Sequence, residues 1–299
     1  MSSGITHVGF ADESHWNMGR YRSLGLVTTS VESLDRLQGE LTRLLNESGL
    51  AEFKWKKLDG AKERFAAIKM CEFAVNAACN GLLRLDVLIW DIQDSRHNVT
   101  GRDDIANLQR MYYHLFRNVL RARWPDNATW RLHPDEHSAM DWETVKDCLE
   151  AKSTILEIER TIFSAGAFKV RLRREFGIEE IHPVLSGEYP LLQLADLFAG
   201  MAVFSRDKYD EYQHWLQDTS PQVRLFDEAD ASSNPSRSSR ERFQVLKAFD
   251  DMCKDIKLGV SLKTKRGLWT PDPQNPINFW IYEPQHPEDK APRKEKRST

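Results

Sequence analysis

The sequence predicts an α/β fold in which helices flank a mixed β-sheet, with a helical and irregular extension at the C-terminal end. Two β-rich runs open the chain, and the short polar interval with Gly19 between them favours an antiparallel hairpin. Strand patterns and helix patterns then alternate as far as about residue 205. The strongly apolar run at 82–91 is typical of a strand that is buried on both faces in the centre of a sheet.

The first predicted strand carries an acid at its end. In residues 5–14, Val8, Phe10 and Asp12 alternate onto one face, so the strand has an apolar face that closes with a carboxylate. Glu13 alternates away from Asp12 on a regular strand. Glu13 can therefore join the same site only if the strand twists or breaks there. Otherwise it is an exposed or helix-capping acid.

The later elements follow from periodicity and from capping residues. Ser30 caps a helix that Gly49 ends, and Gly81 stops the next helix. The predicted strands after the first are residues 20–30, 52–58, 82–91 and 129–136, with one or two extended pieces in 167–187. The other predicted helices are residues 61–80, 104–123, 141–159, 190–204 and 241–257.

Residues 190–204 predict a buried helix that contains one carboxylate. Pro190 suits the first position of a helix, and Gln193 and Asp196 interrupt an otherwise apolar or small composition. Such a helix has no polar face and should be covered on most sides. An ionised Asp196 there is costly unless a cation or several donors hold it. It is therefore either salt-bridged to a neighbouring helix or a metal ligand.

Further acids stand at strand ends and on one helix. Asp91 closes the apolar strand, and Asp135 follows the strand after it. Glu72 lies at the centre of the stripe that the spacing predicts to face the core, so it is either paired or a ligand. Glu63 suits an exposed position in the first turn of the same helix.

The acids together predict a site for a divalent cation. Carboxylates that converge at one edge of a sheet repel one another and raise one another's pKa values unless cations lie between them. Hard oxygen ligands favour Mg²⁺ or Mn²⁺, and no set of His and Cys residues competes for zinc.

Composition and charge limit the classes of protein. The net charge of -3 and the pI near 6.3 give no overall basic field, so nucleic-acid binding would have to rest on local patches such as Lys54, Lys56 and Lys57. The four cysteines lack paired spacing and indicate reduced thiols in a cytoplasmic protein. Neither a signal pattern nor an apolar run of membrane-spanning length is found. The absence of a Gly-rich phosphate loop disfavours ATP-dependent chemistry.

Four segments are expected along the chain. The main domain comprises residues 1–229, and the polar, turn-rich run 230–240 is an exposed loop or linker. Residues 241–284 form a helix and an aromatic, proline-rich segment that packs on the core, lying irregularly across it. Residues 285–299 are charged, lack apolar content and are expected to be disordered.

Three pieces of the sequence resemble the domain of unknown function 3800 family. They are FADES at 10–14, the strand that ends in Asp91, and LLQLADLFAG at 191–200. The family typically has Asp-Glu-Ser at the end of its first strand and Gln-Leu-Ala-Asp in its last core helix. Weaker similarities are EFKW at 52–55, HPD at 133–135, and a Trp- and Pro-rich ending like that of a bacterial subset. The resemblance covers residues 5 to about 205 and implies a ribonuclease H-like fold.

The resemblance gives the acids a chemical role. In ribonuclease H-like enzymes, paired metal ions activate a water and stabilise the leaving oxygen in phosphodiester cleavage. The resemblance implies that Asp12, Asp91 and Asp196 hold the metals and that Asp135 assists. Lys54 either steadies a phosphate oxygen or is a strand-edge lysine. Such enzymes usually take a glutamate from the helix after the third strand, and this helix offers both Glu63 and Glu72.

The expected function is a cytoplasmic nuclease, dependent on Mg²⁺ or Mn²⁺, that acts on DNA or RNA. The candidate catalytic residues are Asp12, Glu13, Lys54, Glu72, Asp91, Asp135 and Asp196. His133 and His137, next to Asp135, either relay protons or are surface residues. One alternative keeps the fold as a non-catalytic interaction module of a mobile-element or defence system, in which the acids form a structural metal or ion-pair site. The other alternative is a metal-dependent hydrolase of small phosphate esters.

Overall fold

The fold is an α/β arrangement with helices on both faces of a mixed sheet. A computed structural model describes residues 4–94, 103–121, 123–151, 154–159, 169–174, 177–219 and 235–283. The strands are β1 (His7–Ser14), β2 (Tyr21–Ser30), β3 (Leu83–Asp91), β4 (Thr129–Pro134), β5 (Thr154–Glu159), β6 (Lys169–Arg174), β7 (Gly177–Ile181) and β8 (Ile277–Ile281). The helices are α1 (Val31–Glu47), α2 (Ala61–Cys79), α3 (Asp104–Leu120), α4 (Trp142–Ala151), α5 (Pro190–Asp207), α6 (Tyr209–Thr219) and α7 (Arg237–Asp255).

The main sheet has six strands in the order β7-β4-β1-β2-β3-β8. The first three strands pair antiparallel in chain order, which confirms the opening hairpin. β4 then pairs parallel to β1, β7 pairs parallel to β4, and β8 pairs parallel to β3. This confirms the predicted α/β fold with a mixed sheet flanked by helices. Because β1 and β4 are parallel neighbours, the residues that follow them meet at one edge of the sheet.

The two faces of the sheet have separate cores. Apolar residues of α1, α2, α5 and α7 cover one face, and those of α3 and α4 cover the other. α5 lies directly on β1 and β2. A Cβ atom at Gly25 of β2 would stand 2.5 Å from the carbonyl oxygen of Ala195, so this glycine allows the helix to approach the strand closely. None of the described helices is long and apolar enough to span a membrane.

The expected third strand is wrong, because this segment forms a short 3-10 turn at Trp55–Lys57. Its backbone donors are satisfied by side chains of α5 instead of by a neighbouring strand. The N–H of Phe53 donates to Oε1 of Gln193 at 2.8 Å, and the N–H of Trp55 donates to Oδ2 of Asp196 at 2.6 Å. The alternating pattern of this segment therefore reflects a loop held across α5.

The helix expected at 141–159 is too long. α4 ends at Ala151, and Thr154–Glu159 form β5, which pairs antiparallel with β6 in a separate two-stranded sheet. Three of the six residues in TILEIE are β-branched and the last four alternate apolar with acidic side chains, which suits a strand better than a continued helix.

The C-terminal segment is part of the sheet. Ile277–Ile281 form β8 beside β3, and Phe279 is fully buried, so the expected irregular course is wrong for these residues. α7 begins at Arg237, with Ser236 as its N-cap, and therefore takes in the last part of the expected linker. The rest of that linker up to residue 234 and the expected tail lie outside the described residues.

Candidate functional site

Three acids from separate elements line one cleft. Asp12 is near the end of β1, and Asp135 directly follows β4. The backbone N–H of Asp135 donates to the carbonyl oxygen of Ala11 at 2.8 Å, so the two acids sit on adjacent strands at the same edge. In α5 every residue from 190 to 206 is buried except Asp196. Asp196 is therefore the point at which this helix opens to the cleft.

The cleft has a volume of about 510 Å³. The three acids and Lys54 line it, together with residues of the β1–β2 connection, the 3-10 turn, the end of α5 and the start of α7. The Nζ of Lys54 lies 3.9 Å from Oδ2 of Asp135 and 3.7 Å from Oε1 of Glu52. One lysine ammonium thus stands among several carboxylates.

Backbone donors fix two of the three acids. Oδ1 of Asp12 accepts the N–H of Glu13 at 2.7 Å, and Oδ2 of Asp196 accepts the N–H of Trp55 at 2.6 Å. The second carboxylate oxygen of Asp12 and of Asp196 makes no hydrogen bond with the described residues. In each side chain one carboxylate oxygen is therefore fixed by a backbone hydrogen bond, and the other oxygen is available to a ligand.

Burial and mutual repulsion raise the pKa values of these acids. Burial raises the pKa of Asp12 well above its usual range, and the charges of Asp196 and Asp135 raise it further. Burial raises the pKa of Asp196 to about 6, although the hydrogen bond from Trp55 and the charge of Lys54 oppose this. Burial also raises the pKa of Asp135. Burial opposes the charge of Lys54, but the surrounding acids raise its pKa overall, so it remains an ammonium.

The donor set fits a hard divalent cation in its chemistry. Asp12, Asp135 and Asp196 offer carboxylate oxygens, and burial is the main cause of their raised pKa values, so a cation would compensate for the solvation that their charges have lost. Within the described ranges, no three acidic, His or Cys side chains already stand close enough together to enclose an ion. A bound cation would draw the presented oxygens together and relieve their repulsion.

Glu13 points to the opposite face of the sheet, as the alternation of the strand requires. Its Oε2 accepts a hydrogen bond from the hydroxyl of Tyr112 on α3 at 2.7 Å. Burial raises the pKa of Glu13, and the carboxylate still borders the cleft. It belongs to the rim of the site and is anchored from the other layer.

Asp91 does not join the cluster, which corrects the expected ligand set. It lies on the predicted face of β3, but in the register Asp12 pairs with Gly25, Gly25 pairs with Val87, and Asp91 comes four residues after Val87. The two acids are therefore about 10 Å apart across the strands and about 13 Å apart along them. Asp91 binds Arg20 at 2.7 Å through Oδ2, and its Oδ1 accepts the N–H of Gln93.

Glu72 is likewise not part of the site. It is exposed and pairs with Lys69 at 2.9 Å, because the buried face of α2 consists of small and apolar residues on the other side of the helix. Phe65, which the sequence suggested as a member of the buried stripe, is 52% exposed. Glu63 does not line the cleft either.

The two histidines beside Asp135 differ in environment. His133 is buried in a cluster with the rings of Phe10 and Tyr189, and burial lowers its pKa. His137 packs edge-on against Trp16, with ring centres 4.8 Å apart. Neither lines the cleft, so the geometry gives no support to a proton relay through them.

Three residues of the site carry no clear signal in the sequence. Trp55 packs on Gly200, where a Cβ atom would stand 2.2 Å from the indole ring, and this contact needs a glycine on α5. Arg242 of α7 donates from Nη2 to the carbonyl oxygens of Trp55 and Lys56, each at 3.1 Å. These contacts join distant parts of the chain, so local periodicity does not reveal them.

Fold and site together define an α/β protein with a buried carboxylate cluster at the edge of a mixed sheet. Two proteins of Methanothermobacter thermautotrophicus, both described as uncharacterised, match nearly the whole chain. ORF2′ is 42% identical over 98% of this chain and 99% of its own length, and ORF2 is 40% identical over 98% and 99%. The chain belongs to the family of these two proteins.

Comparison with family models gives no match. Among solved structures, a chain in the structure of the PCNA:RNase HII complex from Archaeoglobus fulgidus is similar, with a TM-score of 0.37 and 16% sequence identity. The alignment covers 80% of this chain and 85% of that chain.

Proposed function

We propose that the protein is a nuclease that depends on Mg²⁺ or Mn²⁺ and hydrolyses phosphodiester bonds of DNA or RNA. The observation that carries this proposal is the convergence of Asp12, Asp135 and Asp196 on one open cleft, each with a raised pKa. Carboxylates in a cleft whose pKa values are raised by burial and neighbouring charges are typical of functional sites.

The position of each residue in the cleft indicates its role in the proposed reaction. Asp12 and Asp196 would hold a cation through the oxygens that their backbone donors leave unoccupied, and Asp135 would complete the set from the adjacent strand. A bound divalent cation would supply an activated water and stabilise the leaving oxygen. Lys54 faces Asp135 and can donate to a phosphate oxygen, which places positive charge where the reaction gathers negative charge.

A second candidate function is a non-catalytic interaction module, and Lys54 favours it. In that case the ammonium serves as a built-in counter-ion for the acids, and the site stabilises the fold as an ion-pair cluster. Hydrolysis of small phosphate esters would use the same acids as the proposed nuclease.

We also propose a relationship to the domain of unknown function 3800 family. The two motifs that carry the resemblance meet in this cleft, because Asp12 ends β1 and Asp196 lies on α5. Gln193 of the second motif acts beside Asp196, since both side chains accept backbone N–H groups of the EFKW segment.

The first experiment compares the wild type with Asp12→Asn and Asp196→Asn. With Mn²⁺, the wild type should cleave at least one of single-stranded, duplex and hybrid substrates, and Mg²⁺ should raise its melting temperature because ions bind the folded acids. Both variants should lose cleavage and the metal response. Asp91→Asn is the matched control and should keep both, because Asp91 lies outside the cluster.

Two outcomes would count against the nuclease. Equal cleavage by the wild type and Asp196→Asn would point to a contaminant. No cleavage and no metal response, together with destabilisation of Asp196→Asn, would favour the interaction module held by Lys54.

A further inference from the structure

The cleft continues beyond the acids to a guanidinium that lacks an acidic partner. Arg242 of α7 lines the cleft and is partly buried. It forms no salt bridge with any residue that the structure describes. In contrast, Arg64 of the neighbouring α2 pairs with Glu241 of α7 at 2.6 Å. Asp59 and Asp196 act on the charge of Arg242 only from beyond ion-pair distance, so no described acid pairs with it directly.

Neutral groups hold Arg242 in one place. Its Nη2 is bound to the two carbonyl oxygens of the 3-10 turn, and its Nε makes no hydrogen bond with the described residues. Its Cζ lies 5.4 Å from the centre of the Trp55 ring and 5.9 Å from that of Phe204. These contacts fix the position of the guanidinium without neutralising it, which is how a site for an anionic ligand is preorganised.

Lys56 adds a second positive charge at the same end of the cleft. Its side chain is exposed and lines the cleft, and its own carbonyl oxygen binds Arg242. Burial raises the pKa of Asp196 and the charge of Lys56 opposes this, while the charges of Asp59 and Asp196 act on Arg242. The two cations are therefore within electrostatic reach of the acids but are not paired with them.

We propose that Arg242 and Lys56 form a second phosphate subsite, which binds the phosphate next to the one that lies at the acids. This inference rests on the proposed function for the position of the first phosphate. Phosphates follow one another closely along a nucleic-acid strand, and Nη1 of Arg242, which no described residue binds, can donate a charge-assisted hydrogen bond to a phosphate oxygen. The substrate is then a polynucleotide strand, and a small ester with a single phosphate leaves this end of the cleft unused.

The first test measures binding and needs neither metal nor cleavage. The affinity for a short single-stranded oligonucleotide is measured in EDTA over a series of salt concentrations, for the wild type, Arg242→Gln and Lys56→Ala. Each variant should bind the oligonucleotide about tenfold more weakly than the wild type. A plot of the logarithm of the binding constant against the logarithm of the salt concentration should have a slope that is smaller in magnitude by about 0.7, because one phosphate contact is lost. Arg240→Gln is the matched control, because Arg240 is exposed on the same helix outside the cleft.

The binding results decide the subsite by themselves. Equal binding by Arg242→Gln and Arg240→Gln would overturn it, and so would a wild type without measurable affinity. Lys56→Ala guards against a folding defect, because its side chain is exposed and its backbone contact with Arg242 is kept. If the wild type binds as expected but cleaves nothing, the proposed function fails while the subsite stands.

The second test uses cleavage to separate binding from positioning. The values of kcat/KM are compared for an oligonucleotide and for a dinucleoside monophosphate, which has one phosphate. Arg242→Gln should lower kcat/KM for the oligonucleotide about tenfold relative to kcat/KM for the dinucleoside monophosphate. Arg242→Lys should restore part of this loss. If both substrates lose activity by the same factor, Arg242 acts by holding Trp55, and the subsite is refuted.

Discussion

Replacing Asp196 by asparagine should stabilise the metal-free protein near neutral pH. Burial raises the pKa of this carboxyl from 3.8 to about 6, which corresponds to about 3 kcal/mol. The figure is an upper value, because Asp196 keeps partial contact with solvent. Asparagine has nearly the same volume and can still accept the N–H of Trp55. We therefore expect a gain of about 1–3 kcal/mol for Asp196→Asn.

The pH dependence gives the sharper test. The folded-state pKa of Asp196 is above its unfolded value, so the folded state binds the proton more tightly. Its contribution to stability is full below about pH 4 and is lost as the pH rises through about 6. The wild type should lose stability across this window, and the loss should be smaller in Asp196→Asn.

Urea unfolding in EDTA at about pH 5 and about pH 8 measures this difference. Asp218→Asn is the matched control, because Asp218 is exposed and should change neither the midpoint nor its pH dependence. A variant of Asp196 that is destabilised at the higher pH, with an unchanged slope, would refute the cost of burying this charge and show instead that the acid is the paired partner of Lys54.

Two other substitutions test the framework around the site. Asp86→Asn should lower the free energy of unfolding, measured with urea, by about 3–5 kcal/mol. Asp86 is fully buried between Arg84 and Arg123, and its loss leaves both guanidinium groups without a counter-charge. A decrease below about 1 kcal/mol would contradict this pairing. Gly200→Ala should cost about 1–3 kcal/mol and weaken the metal response, because its Cβ atom would meet the Trp55 ring at 2.2 Å. Gly39→Ala, on α1 with nothing within 4 Å, should instead stabilise the protein slightly, and equal effects of the two alanines would exclude the steric explanation.

Much of the fold was accessible from the sequence because its elements have strong local patterns. α5 was predicted from its composition, and Pro190 starts it as expected. Asp12 and Asp196 were singled out because each carboxylate interrupts an apolar pattern. Such an interruption is informative because burying a charge is costly and needs a reason.

The errors have physical causes that act over long distances. Asp91 was placed on the correct face, but its distance from Asp12 depends on the strand register, which the pattern of one strand does not fix. Glu72 was placed on the wrong side of α2 because Phe65 outweighed the alanines in the apparent stripe, whereas the small residues form the packed face. Trp55 and its neighbours alternate like a strand, but their backbone partners lie about 140 positions later in the chain.

The last described strand, β8, also affects how the protein folds during its synthesis. β8 lies beside β3, yet 192 positions separate Asp86 from its partner Asn278. During synthesis the outer edge of β3 therefore stays unpaired until nearly all of the described chain has been produced. Contacts of such large sequence separation slow folding and leave an apolar edge open to other chains for that time. Truncation before residue 277 should therefore yield an aggregating product instead of a smaller folded protein.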